Sequence, residues 1–401
     1  MRFSLAIAAA GLLFNTFVSS LHAEPSPVEQ AVDAVIDKAI ADQRIVGTVV
    51  LVADKGQIVY RRAAGYADRE KGLPMQEDSV FRLASMTKPL VSAAALRLVE
   101  QGVLDLQVPV TRWLPDFSPR LPDGRAPVIT IHQLLTHTSG LSYGFLETED
   151  GPYHQAGVSD GMDLGPDLEE NLQRIASVPL IFSPGTDWRY SVSLDVLGGV
   201  LSAAAGQSLP DVLRQQVTGP LKMDDTHFVA PEPERLVTQY QDGRPQPVKM
   251  AQEAIIPFGF SAIRMAPARA LDKTAFPSGG AGMVGTAHDF MRFLLSLREN
   301  SHSILKSQTK GMMMKDQTGP QVQRQNPGWG FGYGWAVLDE PGQAYTPQGQ
   351  GTIQWGGVYG HSWFFDPAND LAVVALTNTA FEGMSGAFPG DLRDALYEEL
   401  K

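Results

Sequence analysis

Ser85-Met86-Thr87-Lys88 sets a hydroxyl and an amine three positions apart at the start of an apolar run. If a helix begins at Ser85 or Met86, the two side chains lie about one turn apart on one face, within reach of each other. A serine hydroxyl is a weak nucleophile until a neighbouring base accepts its proton, and a lysine serves only with a neutral amine. The partial positive charge of a helix N-terminus, together with partial burial, disfavours an ammonium, so the pattern is placed for nucleophilic catalysis. Tyr190, in Trp188-Arg189-Tyr190-Ser191-Val192-Ser193, stands at a second loop-to-helix junction. A phenol acts as a base only when its pKa falls from about 10, and an adjacent lysine cation is one way to lower it.

Other groups with chemical potential read as structural. Ser303-Ile304-Leu305-Lys306 and Ser307-Gln308-Thr309-Lys310 repeat the serine-lysine spacing, but in a polar stretch with no long apolar helix after it, so their lysines read as helix-surface groups. His132 and His137 have no acidic or histidine partner at ligand spacing, so no metal site is implied. Gly280-Ala281-Gly282-Met283-Val284-Gly285 matches a dinucleotide fingerprint by letter. It follows Pro277-Ser278-Gly279 rather than a strand, so it reads as a tight turn and no cofactor is implied. The nucleophile elbow Gly-x-Ser-x-Gly is absent, since Gly383-Met384-Ser385-Gly386 is followed by Ala387.

The elements that must hold these residues follow from periodicity. Leu90, Val91, Ala94, Ala95 and Leu98 recur at helical spacing after Ser85, Pro89 suits a first turn, and Gly102 is placed to end the helix. Residues 27–43 read as an amphipathic helix, and 46–53 and 57–62 as a hairpin turning at Asp54-Lys55-Gly56, continued by 65–68. A short helix at 129–135 is capped by Thr130, and further helices span 168–177, 194–205 and 286–297. The 143–168 loop is long enough to shape a pocket, with Tyr143 and Trp188 as specificity candidates. Residues 220–275 read as irregular. Strand patterns at 330–337, 352–355, 361–365 and 371–378 precede a closing helix at 392–400. The expected fold is α/β (α+β): an antiparallel sheet flanked by helices, built from 24–82 and 279–401, with 83–278 inserted as a mainly helical domain.

Composition narrows the function. The 401 residues are 43% hydrophobic and 19% charged, with a net charge of −12 and no basic cluster, which argues against nucleic-acid binding. Residues 1–23 have the layout of a secretory signal: Arg2, an apolar run, then Ser19-Ser20-Leu21-His22-Ala23. The run is short for a membrane span and holds Asn15 and Thr16, so cleavage after Ala23, a periplasmic or secreted location and no stable membrane insertion are expected. With no cysteine, disulfides and thiol chemistry are excluded.

Ser85-Met86-Thr87-Lys88, Tyr190-Ser191-Val192 and Trp355-Gly356-Gly357 resemble the serine β-lactamase and penicillin-recognising superfamily, class C in particular. LLTHTSGL at 134–141 and GGAGMVGTAHDF at 279–290 are also typical. Two departures matter: class C β-lactamases carry Tyr-x-Asn and Lys-Thr-Gly where this chain has Val192 and Trp355-Gly356-Gly357. Both departures, and WGGVYGHSWFFDP at 355–367, are similar to the family VIII carboxylesterases. The resemblance implies a small-molecule ester substrate, Ser85 as nucleophile, Lys88 and Tyr190 sharing the proton transfers, and the N–H groups of Ser85 and Val358 as oxyanion hole. Trp355, Gly356, Gly357, Tyr143 and His361 are then expected to line the substrate site. A β-lactamase or D-amino-acid peptidase is the alternative, and a non-catalytic cell-wall-binding protein a third reading.

Overall fold

The apolar run at 46–53, expected as the first arm of a hairpin, is a strand in the computed structural model, which describes residues 25–399. Strand Gly47–Asp54 lies inside an eight-stranded sheet, between Leu371–Thr377 and Gln57–Asp68, antiparallel to both. Val50 and Val52 face one core cluster while Val49 and Leu51 face another, because successive side chains of a strand point to opposite sides. Both faces are covered, which is why this strand reads as a continuous apolar run. Each such fully buried side chain stabilises the fold by about 1.5–3 kcal/mol relative to exposure.

One face is covered by helices Pro27–Ala41 and Ala387–Glu399. The first is opened by a capping box in which the Ser26 side chain accepts the Glu29 N–H and the Glu29 carboxylate accepts the Ser26 N–H. The opposite face packs on the larger cluster, to which helices Thr87–Glu100, Ile131–Leu135 and Ser193–Ala205 contribute. All eight strands of the sheet come from residues before 75 or after 328, and most helices from between them. The residues expected to form a secretory signal lie outside the described residues. Among the described residues no single helix is long and apolar enough to cross a membrane.

Several local expectations need correction. Ser85 does not open the α-helix; it sits in a 3₁₀ turn, Ala84–Met86, and the α-helix runs Thr87–Glu100. The 330–337 segment is a hairpin of two short strands, Trp329–Phe331 and Ala336–Leu338, because Gly334 takes a positive φ of 100° at the reversal. Residues 220–275 are less irregular than their prolines imply: Ala254–Phe258 pairs with Ser261–Met265 across Gly259, at φ 58°. The closing helix begins at Ala387, five residues before its first expected position. Lys310 is not a surface group; it is buried, and its ammonium donates to the Arg298 carbonyl at 2.6 Å.

Candidate active site

Ser85 is held between a strand and a helix. Phe81–Arg82 pairs with Val284–Gly285, the Leu83 N–H donates to the Met283 carbonyl (2.8 Å), and the Met283 N–H donates to the Thr87 hydroxyl (3.1 Å). These bonds fix the glycine-rich 279–285 turn against the Ser85 turn. Ala84, immediately before the serine, has φ 45°, a left-handed conformation that a non-glycine residue adopts at a cost of about 1–3 kcal/mol.

Tyr190 is positioned from another direction. The Arg189 N–H donates to the His137 carbonyl (3.0 Å), the Ser191 N–H to His137 Nδ1 (3.2 Å) and the Val192 N–H to the Ser142 carbonyl (3.2 Å). His137 is wholly buried, and its ring lies 4.8 Å from that of Tyr190. Burial, and then the nearby Lys88 charge, keep its imidazole well below the ordinary histidine range, so it supports the tyrosine as a neutral ring. His132, at 2.9 Å from the Tyr333 hydroxyl, is equally structural.

The three groups converge. The Tyr190 hydroxyl donates to Ser85 Oγ at 2.7 Å, and Lys88 Nζ donates to the same oxygen at 3.2 Å. Lys88 is fully buried; Nζ also donates to the Gly280 carbonyl at 2.8 Å and lies 4.5 Å from the Tyr190 ring centroid. Asp195 completes this support, its Oδ1 accepting the Gly280 N–H (3.2 Å) and the Ser278 hydroxyl. Burial raises its carboxyl above the ordinary range, against the Ser278 hydrogen bond and the Lys88 charge, which pull it down. Either contact to Ser85 Oγ reverses when the partner offers a lone pair, as a tyrosinate or a neutral amine does, which is what a general base requires.

Ser85, Tyr190, Trp355, Gly356, Val358 and Tyr143 all line one cavity of about 570 Å³. Trp355 Nε1 lies 3.4 Å from the Tyr190 hydroxyl, and the two rings are 5.3 Å apart. Trp188 and Phe331 close the same side, and Tyr143 stacks on Phe145 at 4.6 Å. Val192 is fully buried in the core. Gly357 does not line the cavity. A Cβ there would stand 2.4 Å from the Leu83 carbonyl, so the bare backbone is what lets strand Ile353–Gly357 approach the Ser85 turn.

His361 does not line the site either. It is buried, its Nε2 bonded to the Arg82 carbonyl at 2.8 Å and its ring edge-on to Phe81. The imidazole occupies space beside Gly357, whose missing side chain makes room for it. Sequence reasoning missed Asp195, Ser278, Phe258 and Asp160, the last two being cavity-lining. For Asp195 a signal existed: an acid inside the apolar 194–205 run. Among the described residues no group of three or more His, Cys, Asp or Glu side chains is placed to hold a metal ion.

Residues 32–397 match the family model described as Beta-lactamase. The chain belongs to the Beta-lactamase family. It is 54% identical over 369 residues to Esterase EstB of Burkholderia gladioli, covering 91% of this chain and 94% of that protein. The fold is similar to the solved structure of EstCE1, a hydrolase with promiscuous acyltransferase activity, with a TM-score of 0.90, 47% identity and coverage of 92% and 98% of the two chains. Simvastatin Synthase (LovD) from Aspergillus terreus has a TM-score of 0.73 at 24% identity over 93% and 98%, a likeness of fold. The expected β-lactamase-like architecture, an antiparallel sheet flanked by helices, is therefore the observed one.

Proposed function

We propose that this member of the Beta-lactamase family is a serine carboxylic ester hydrolase that works through an acyl-enzyme on Ser85. The observation that carries the residue assignment is the convergence of the Tyr190 hydroxyl and Lys88 Nζ on Ser85 Oγ inside a cavity. The activity class rests on the similarity to proteins named as esterases.

In acylation Ser85 Oγ bonds to the ester carbonyl carbon as its proton passes to Tyr190 or Lys88. The negative charge that develops on the carbonyl oxygen is met by the N–H groups of Ser85 and Val358, each such donor typically contributing a few kcal/mol. The carbon–oxygen bond to the alcohol then breaks, and Tyr190 returns a proton to the departing oxygen. Water attacks the acyl-enzyme by the same route, losing its proton to the base and regenerating the Ser85 hydroxyl. An alcohol in place of water would take the acyl group instead, and the aromatic lining of the cavity favours such an acceptor.

The esterase reading is preferred over β-lactamase or D-amino-acid peptidase activity because Val192 is buried and Trp355 presents an indole where those enzymes place a cation. Short-chain acyl esters, and export with removal of residues 1–23, belong to this proposal. The test is a panel of p-nitrophenyl acyl esters with ring opening of a chromogenic cephalosporin followed in parallel. Ester turnover with little ring opening supports the reading; ring opening without ester turnover overturns it.

A further inference from the structure

Asp160 is the carboxyl among the described residues that line the cavity, and nothing in the reaction just derived uses it. Its Oδ1 accepts the Gly144 N–H at 3.0 Å, and no Lys or Arg forms a salt bridge with it among the described residues. The surroundings are aromatic and apolar. Tyr143 and Phe145 stack at 4.6 Å, Phe258 stands edge-on to Phe145 at 5.7 Å, and Met162 and Ile263 line the same cavity. A carboxyl without a counter-ion beside aromatic rings is the chemistry that recognises an organic cation: the charge gives direct attraction and the rings add a cation–π contribution.

We propose that Asp160 anchors a cationic amine, so that the esters this enzyme prefers carry an ammonium group on the part of the substrate that reaches this end of the cavity. This rests on the ester-hydrolase reading and names a substrate class for it. Asp160 is a specificity group, separate from the Ser85, Lys88 and Tyr190 set.

The electrostatics agree with that geometry. Burial pushes the Asp160 carboxyl up to about 7, with Asp163 and Asp195 raising it and the Gly144 and Phe145 N–H groups holding it down. Tyr143 and Tyr153 also face it, their phenols raised by burial and by acids that include Asp160 itself, and the His154 ring stands on the same side of Gly144, where a Cβ would lie 3.3 Å from Asp160 Oδ2 and 3.4 Å from His154 Cε1. A cation bound there favours the ionised carboxylate. Preference for a permanently charged substrate therefore grows as pH rises through the Asp160 value.

The test uses matched ester pairs that differ only in a terminal trimethylammonium or tert-butyl group, carried on the acyl chain in one series and on the alcohol in the other. Wild type is expected to favour the cation in kcat/KM by about tenfold in at least one series, more at higher pH. Asp160→Asn keeps an oxygen for the Gly144 N–H but loses the charge; it should abolish that preference while leaving the neutral ester within about twofold of wild type. Equal turnover of both members by wild type in both series overturns the proposal, as does a preference that survives in Asp160→Asn. Equal loss on neutral and charged esters also overturns it, since Asp160 would then only cap the Gly144 turn. Ester turnover that survives Ser85→Ala would instead count against the ester-hydrolase reading, so the two failures are distinguishable.

Discussion

The hydroxyls of Tyr190 and Ser85 stand 2.7 Å apart, although 105 positions separate them in the chain. The contact exists because two loop-to-helix junctions face each other across one cavity. One is fixed by Met283 and the other by His137.

Tyr190→Phe keeps the ring that packs on His137 and Trp355 and removes only the oxygen. The expected result is a fall in kcat of about 10²–10⁴-fold with KM for a p-nitrophenyl ester nearly unchanged, as for loss of a group that transfers a proton in the transition state. A rise in KM at constant kcat would assign Tyr190 to substrate binding instead.

His361 makes stability depend on pH. Burial lowers its imidazole to about 4, against the Arg82 and Gly360 backbone hydrogen bonds that raise it. The unfolded chain binds a proton near the ordinary value of 6.5 and the folded chain does not. The contribution is therefore complete above that value and is lost as pH falls toward 4, on the order of 3 kcal/mol in all. Urea midpoints measured across this range should fall more steeply for wild type than for His361→Gln. Identical slopes would contradict the buried, neutral state of the ring.

Much of the site was legible because its chemistry sits in short local patterns. Ser85 and Lys88 are three positions apart, and Tyr190 marks a visible junction before an apolar helix. The sheet was legible too, since Gly47–Asp54 and Leu371–Thr377 are apolar runs of strand length. What failed depended on three-dimensional neighbours. His361 follows the Trp355-Gly356-Gly357 motif in the chain, yet the antiparallel pairing of Gly357 with His361 puts its ring against Phe81. Asp160 and Phe258 come from segments almost a hundred residues apart, and only the hairpin Ala254–Phe258 with Ser261–Met265 brings them to one cavity. Lys310 shares its spacing pattern with Lys88, but its partner is the Arg298 carbonyl, which no local pattern announces.

The most direct test of the central claim is to trap the nucleophile. Wild type treated with a fluorophosphonate should gain one phosphonyl adduct, mapped by peptide mass spectrometry to Ser85. Ser85→Ala should gain none and should lose p-nitrophenyl ester turnover. An adduct on another residue, or ester hydrolysis that persists in Ser85→Ala, would contradict the acyl-enzyme account.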